Sequence, residues 1–287
     1  MRLALGIDLG GTKIEGILMD DKGSIYKTYR RPTEAHKSRK EIIANIVEVI
    51  NKLKIKRVLG VGIGAPGFAM PNGEMTSVPN LKQLENFNLK KELEKRTKLR
   101  VYLENDANCF ALAEHRFGAA RGCRNSIGVI IGTGVGAGII IDNKIYSGSG
   151  GGAGEAGHTH LVINETEGLV KDIEALISGP SIIKRYEELS GKRAHTPRII
   201  LNKNDKSAKR VYEETVLYTG LFFANLINTL NPECLVVGGG VSNLSFYKDI
   251  KKAVKKYAHP FMARMCKIKK NALGDDSGVI GAAELVF

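Results

Sequence analysis

The segment Gly6-Ile7-Asp8-Leu9-Gly10-Gly11-Thr12-Lys13 puts a carboxylate at the end of an apolar run and a glycine–threonine backbone directly after it. Spare N–H groups in such a turn form an anion-binding concavity. A neighbouring carboxylate suits Mg²⁺, directly or through water. The chemistry on offer is therefore phosphate and metal handling, with Asp8 on the metal side. A plain hairpin turn competes, because Gly10 and Gly11 reach positive φ at no steric cost. The segment is not a P-loop: after Gly6-x-x-x-x-Gly11 the order is Thr-Lys, where a P-loop has Lys and then Ser or Thr.

Two further glycine turns follow apolar runs, at Gly132-Thr133-Gly134 and at Gly238-Gly239-Gly240. Glycines at strand ends let a backbone approach a ligand that side chains would keep away. The first two turns can bracket phosphates, and the third can approach a nucleoside. Gly62-Ile63-Gly64-Ala65-Pro66-Gly67 also matches G-x-G-x-x-G, but Pro66 stands where a helix should open, so a tight strand-to-loop turn is the better reading.

Asn105-Asp106 lies between a strand end and a helix start. It can cap that helix, and Asp106 can also be the base that orients a hydroxyl for attack on a γ-phosphate. Gly154-Glu155-Ala156-Gly157-His158 brings a carboxylate and an imidazole into a glycine-rich loop. His158 and His160 lack a second ligand pair at zinc spacing, so hydrogen bonding to a polyol suits the loop better. Glu174 opens an apolar helix, where first-turn acids are common.

The elements that carry these residues repeat. Residues 3–7, 13–19 and 24–29 read as three strands around a glycine turn and an Asp20-Asp21-Lys22-Gly23 hairpin signal. Residues 125–131, 137–141 and 145–146 repeat that pattern, with Asp142-Asn143-Lys144 as the hairpin signal. Each unit is followed by helices and a further buried strand. This predicts a duplicated α/β fold with a cleft between its halves. Helices are predicted at 39–52, 89–98, 107–117, 172–178, 179–189, 207–230, 244–258 and 277–286, and strands at 58–63, 100–103 and 234–237. The predicted domains are an N-terminal lobe of residues 1–105, joined by the C-terminal helix 277–287, and a C-terminal lobe of residues 106–276.

The chain has 287 residues and a net charge of +13, with 43% hydrophobic and 25% charged residues. The cations lie mostly in mixed runs that read as solvated helix faces, and no nucleic-acid motif is present, so no nucleic-acid partner is expected. A positive field also favours an anionic nucleotide. Asp8 interrupts the first apolar run, and the longest uncharged stretch, 125–141, is short and rich in glycine. No signal peptide or membrane association is expected. The four cysteines, Cys109, Cys123, Cys234 and Cys266, are widely separated, which suits reduced thiols in the cytoplasm.

With these residues in view, the chain resembles the sugar kinases of the ROK family (repressor, open reading frame, kinase) over nearly its whole length. The resemblance rests on Asp8-Leu9-Gly10-Gly11-Thr12-Lys13, Gly64-Ala65-Pro66-Gly67, Glu104-Asn105-Asp106-Ala107-Asn108, Ile131-Gly132-Thr133-Gly134-Val135-Gly136, Ala153-Gly154-Glu155-Ala156-Gly157-His158, Val237-Gly238-Gly239-Gly240 and Gly281-Ala282-Ala283. It implies an actin-like ATPase fold with ribonuclease H-like lobes. It implies ATP and Mg²⁺ at Asp8, Gly10, Gly11, Thr12, Lys13, Gly132, Thr133 and Gly134, with adenosine near Gly238, Gly239 and Gly240. Asp106 would be the general base on a hexose hydroxyl, usually the 6-hydroxyl. Asn105, Glu155, His158 and Glu174 match sugar-binding positions, with Gly67 and Asn80 at the rim. Family members often pair, so a homodimer is allowed.

Many family members carry a cysteine-rich zinc motif between the Gly-His and that glutamate. Residues 159–173 contain no cysteine, so no structural zinc is expected. Apolar packing by Leu161, Ile163, Leu169 and Val170 is expected to hold the loop instead. The family's repressors carry a DNA-binding domain before the first glycine turn. Here that turn begins at residue 10, so an ATP-dependent hexose kinase is expected over a repressor or a sugar sensor without turnover. Glucose is favoured as acceptor, with fructose, mannose and N-acetylated hexosamines as alternatives.

Overall fold

A computed structural model describes residues 1–201, 204–240 and 246–287. They form two compact units: Met1–Gly122, Gly138–Gly154 and Ala272–Phe287 in the first, Cys123–Ala137 and Glu155–Asn271 in the second.

In the first unit, β1 (Leu3–Leu9), β2 (Lys13–Asp20) and β3 (Ile25–Pro32) form an antiparallel meander. Its second turn uses Gly23 at φ +86°, while Asp20 Oδ1 accepts the N–H groups of Lys22 and Ser24. Helix α1 (Arg39–Leu53) starts at a capping box of Ser38 and Glu41. Its Ile42, Ile43, Ile46, Val49, Ile50 and Leu53 are buried at helical spacing. Burying each such side chain contributes about 1.5–3 kcal/mol. Then come β4 (Val58–Ala65), a small antiparallel sheet of β5 (Phe68–Ala69), β6 (Glu74–Thr76) and β7 (Phe87–Asn88), helix α2 (Leu89–Thr97), β8 (Val101–Asn105) and helix α3 (Asp106–Arg116).

The main sheet runs β3-β2-β1-β4-β8, with β1, β4 and β8 parallel. Their C-terminal ends therefore emerge on the same side. Asp8 pairs with Gly64, and Gly64 with Glu104, so the candidate residues start from one cross-strand row.

The second sheet repeats that order. It uses β9 (Ser126–Ile131), β10 (Val135–Ile141) and β11 (Lys144–Ile145), the last two joined through Asp142 and Asn143, both at positive φ. In the second unit, β12 (His160–Asn164) and β13 (Leu169–Asp172) form a separate antiparallel pair. Helices α4 (Glu174–Ile177), α5 (Gly179–Ser190), α6 (Pro197–Leu201) and α7 (Lys206–Leu230) lead to β14 (Cys234–Gly238). Helices α8 (Tyr247–Tyr257) and α9 (Pro260–Met265) and strand β15 (Lys267–Lys270) follow. The order β11-β10-β9-β14-β15 matches the first sheet strand for strand, as duplication requires. Helix α10 (Ser277–Glu284) closes the chain in the first unit. Leu244, where the sequence starts the helix that becomes α8, lies outside the described residues.

Three features differ from the sequence expectations. Residues 106–122, 138–154 and 272–276 belong to the first compact unit rather than to a second lobe starting at residue 106. The cause is close packing of α3 on α10: a Cβ on Gly281 would lie 1.7 Å from the Cys109 carbonyl oxygen. The 161–171 loop is a hairpin, with Asn164 Oδ1 accepting from Thr166 and Glu167 at its turn. Leu161 packs on the core, but Leu169 and Val170 stay 38% and 48% exposed, so strand pairing rather than apolar packing of all four residues shapes it. Finally, the short strands β5–β7 and the lysine-rich β15 were not anticipated.

Gly281→Ala should lower stability by about 3 kcal/mol or more, because a methyl there meets backbone rather than a movable side chain. Urea unfolding of the variant against the parent checks this.

Candidate active site

In the first unit, Asp8 sits near the end of β1 and the chain turns at once: Gly10 N–H donates to the Lys13 carbonyl at 3.0 Å. Thr33 N–H closes the turn from behind onto the Thr12 carbonyl at 2.9 Å. Thr12 is left exposed at the tip. A Cβ on Gly11 would stand 3.0 Å from Asn80 Cβ, so Asn80 packs against the turn. Lys13 Nζ bonds Glu15 at 2.7 Å, and Glu15 also pairs with Arg30. Burial would raise the Glu15 pKa, but bonds from Arg30 and Lys13 outweigh it and hold the carboxyl below its usual range.

Asp106 opens α3 directly after β8. Asn105 caps the helix by accepting Ala107 N–H at 2.8 Å, and its Nδ2 donates to the Gly67 carbonyl at 3.0 Å. Gly67 has φ +85°, and a Cβ there would lie 2.5 Å from the Ser77 carbonyl oxygen, so the rim residue has to be glycine. Asp106 Oδ1 accepts Ala107 N–H at 2.8 Å. Its carboxylate is reached by solvent, yet crowding by protein raises its pKa against the pull of the Ala107 and Asp106 N–H groups. Asp8 is pushed up to about 6, first by burial and then by the charge of Asp106, with Lys13 pulling the other way. Asp8 thus senses the charge of Asp106.

In the second unit, Gly132 N–H donates to the Gly134 carbonyl at 2.9 Å, and Gly179 N–H to the Gly132 carbonyl at 2.8 Å. Thr133 is exposed at the tip, as Thr12 is in the first turn. Glu174 Oε2 accepts Val135 N–H at 2.9 Å and would be 2.6 Å from a Cβ on Gly134. Glu174 thus braces the glycine turn. His158 ends a short turn, Ala156–His158, which Gly157 lets pack against the Val135 carbonyl. The exposed His158 ring lies 3.7 Å from Glu155 and 3.9 Å from Asp172. His160 points into no ligand cluster: among the described residues, no three His, Cys, Asp or Glu side chains gather as a metal site. Gly239 has φ +82°, and a Cβ there would meet the Ile131 carbonyl at 2.4 Å, so Gly238 and Gly239 run tight against the end of β9. Gly240 follows, exposed.

The first unit therefore brings together Asp8, Gly10–Lys13, Gly67, Asn80, Asn105 and Asp106, and the second gathers Gly132–Gly134 with Glu174, Glu155 with His158, and Gly238–Gly240. Sequence reasoning missed Glu15, Glu104 and Ser147. Glu104 carried a usable signal, a carboxylate at a strand end beside Asn105; the other two carried none.

Comparison with known proteins adds an independent line. A family model described as "ROK family" matches residues 4–287. A glucokinase of Halalkalibacterium halodurans is 34% identical over 316 residues, covering 99% of this chain and 95% of the relative. An N-acetyl-D-glucosamine kinase of Pasteurella multocida is 33% identical over 300 residues, covering 98% of each. Among solved structures, a ROK hexokinase from Thermus thermophilus superposes with a TM-score of 0.87 at 27% identity, covering 99% of this chain and 97% of the other. A ROK family glucokinase from Streptomyces griseus, in complex with glucose and AMPPNP, gives 0.77 at 28% identity, covering 99% and 98%.

Because Asp8 holds its proton more tightly folded than unfolded, ionising it costs stability. That cost is absent below about pH 4, grows up to about pH 6 and is complete above it. Asp8→Asn should therefore stabilise the metal-free protein at pH 8, by at most about 3 kcal/mol, and leave it unchanged at pH 3.5. Melting curves in EDTA across that range check the sign.

Proposed function

The chain belongs to the ROK family, and from that premise we infer that it is an ATP-dependent sugar kinase acting on a glucose-type hexose. The named relatives are glucokinases and N-acetyl-D-glucosamine kinases. Their two sugars differ at carbon 2 and share the glucose ring with its free 6-hydroxyl, so the 6-hydroxyl is the acceptor we assign. Glucose is the first expected substrate; N-acetylglucosamine, mannose and fructose are the alternatives.

The observation that carries the reading is Asp106 itself. It stands on a capped helix start, with one oxygen taken by Ala107 N–H and, among the described residues, no cation paired with it. Its raised pKa makes it a better base than an ordinary aspartate. In the reaction proposed, Asp106 accepts the proton of the hexose hydroxyl as that oxygen bonds the γ-phosphorus. The bond from that phosphorus to the β,γ-bridging oxygen breaks, and ADP leaves. Asn105 and Gly67 hold the base in place, and Glu155, His158, Glu174 and Asn80 are assigned to the sugar's other hydroxyls. The Gly10–Thr12 and Gly132–Gly134 turns take phosphates through the N–H groups of Gly11, Thr12, Thr133 and Gly134, those of Gly10 and Gly132 closing the turns themselves, with Lys13 beside them and adenosine at Gly238–Gly240.

A divalent cation fits the first unit. Asp8 offers hard oxygen donors, and its pKa, raised first by burial and then by the charge of Asp106, marks a buried acid that a cation would stabilise in its ionised form. Asp8 would hold Mg²⁺, directly or through water, and the ion when bound neutralises charge on the phosphates.

A coupled assay of ADP release over glucose, N-acetylglucosamine, mannose and fructose tests the reading. Glucose should give the highest kcat/KM. Asp106→Asn should lower kcat by about 10²–10⁴-fold, with the fold intact by circular dichroism. Full activity in that variant would overturn the base assignment.

A further inference from the structure

The Glu104 carboxylate is held by three donors and, among the described residues, carries no cation. Oε1 accepts the N–H of Asn105 at 2.9 Å and Nδ2 of Asn108 at 2.9 Å. Oε2 accepts the Ser147 hydroxyl at 3.1 Å. The first two bonds hold the turn that presents Asp106. The third reaches a different part of the chain, the glycine-rich strap of residues 147–154.

The strap is folded rather than loose. Ala153 N–H donates to the Ser147 carbonyl at 3.1 Å, closing it on itself, and Gly148 and Gly151 have φ +71° and +79°. A Cβ on Gly151 would lie 2.9 Å from the Ala69 carbonyl oxygen, and one on Gly152 would touch the Phe68 ring at 3.7 Å. Phe68 and Ala69 directly follow Gly67, whose carbonyl takes Asn105 Nδ2. The contacts form a closed circuit: Glu104 to Ser147, strap to Phe68–Ala69, Gly67 to Asn105, and back to Glu104. Asp106 is the next residue along the chain.

We propose that Glu104 is a positioning residue that locks three segments, 67–69, 104–108 and 147–154, into one rigid frame for Asp106. The proposal rests on the sugar-kinase reading and adds to it the group that keeps the base and strap in register. A merely structural role exists as the rival: an acid just before a helix stabilises its N-terminus by about 0.3–1 kcal/mol. That role explains neither the Ser147 bond nor the Asn105 N–H bond, which lies outside the helix. A capping effect would also respond to charge, whereas the frame responds to shape, because the three donors need acceptors at fixed points. Glutamine keeps the length and one carbonyl acceptor on Oε1, and the Ser147 hydroxyl can turn to accept from its amide.

The test compares Glu104→Ala, Glu104→Gln and Ser147→Ala with the wild-type enzyme, using kcat, hexose KM, ATP KM and melting temperature. Misplacing a catalytic group by about 1 Å costs on the order of 10²-fold. Glu104→Ala should therefore lose about 10–100-fold in kcat, and Glu104→Gln should restore most of it. Ser147→Ala frees the strap alone, so it should raise hexose KM several-fold with ATP KM and melting temperature unchanged. In Glu104→Ala/Ser147→Ala the Ser147 effect should vanish, since the bond is already gone. If the wild type turns over no hexose, the kinase reading itself fails. If the wild type is active and Glu104→Ala keeps its kcat and KM, or loses only melting temperature, the frame is refuted. Should Glu104→Ala fail to fold, a Ser147→Ala enzyme with wild-type KM refutes it equally.

Discussion

Backbone meets backbone where α10 crosses the first unit, and the candidate site depends on that contact. A Cβ on Gly6 of β1 would lie 2.2 Å from the Val279 carbonyl oxygen, and one on Gly62 of β4 1.8 Å from that of Ala282. On its other side, α10 offers Gly281 to the Cys109 carbonyl of α3. A helix that close to two strands and a second helix has no freedom to slide. It sets the start of α3, with Asp106, against the ends of β1 and β8, with Asp8 and Asn105. Glu114 fastens the arrangement at the far end of α3. Fully buried, its carboxylate accepts from Ala119, Ala272 and Leu273 N–H groups and from the Ser277 hydroxyl, satisfying a charge that would otherwise be costly to bury.

That packing forces acids together, and the charge balance shows which effect wins. Asp106 sits at a helix N-terminus, which favours a carboxylate by about 0.3–1 kcal/mol. Its pKa is nevertheless raised, because crowding outweighs the pull of the Ala107 and Asp106 N–H groups. Lys13 is the nearest available relief for Asp8, yet Glu15 holds it at 2.7 Å. Arg30 shares that glutamate, so Lys13 is held without being neutralised. The result is a pair of carboxylates kept basic by their surroundings, which suits both proton acceptance and metal binding.

Much of this was legible from sequence, for identifiable reasons. Glycine turns after apolar runs mark strand ends, and they recur, so the repeated strand order could be anticipated. Asn105-Asp106 declared a cap. The G-x-G-x-x-G match at residues 62–67 has its cause in packing: Gly62 makes room for α10 and Gly67 takes positive φ, neither of which involves a phosphate. What sequence hid were elements defined by partners rather than by pattern. Strands of two or three residues such as β5–β7 are too short for periodicity. β15 reads Lys-Ile-Lys-Lys, and only its pairing with β14 reveals an edge strand shielded by lysines. Leu169 and Val170 look like core residues until the hairpin turns them outward. Glu174 read from its own position as a first-turn acid, and as a sugar-binding position only through the family resemblance; its bond to Val135, spanning 39 positions, is what sequence could not show.

The two glycine turns are copies that have diverged in charge, and the divergence fits one reaction. In the first, Asp8 stands two residues before Gly10; two residues before Gly132 stands Ile130. The second turn is braced instead by Glu174, whose Oε2 is taken by Val135 N–H. Phosphate chains are anionic, so a second free carboxylate at the equivalent place would repel the ligand that both turns are suited to hold. With Mg²⁺ held as proposed, the first turn could keep its acid because the cation would offset the charge. On the same proposal the second turn would meet phosphate through N–H groups, while Glu174 Oε2 braces it by accepting Val135 N–H. The repeated strand–turn unit thus presents two glycine turns, and only the first has an acid two residues before its glycine.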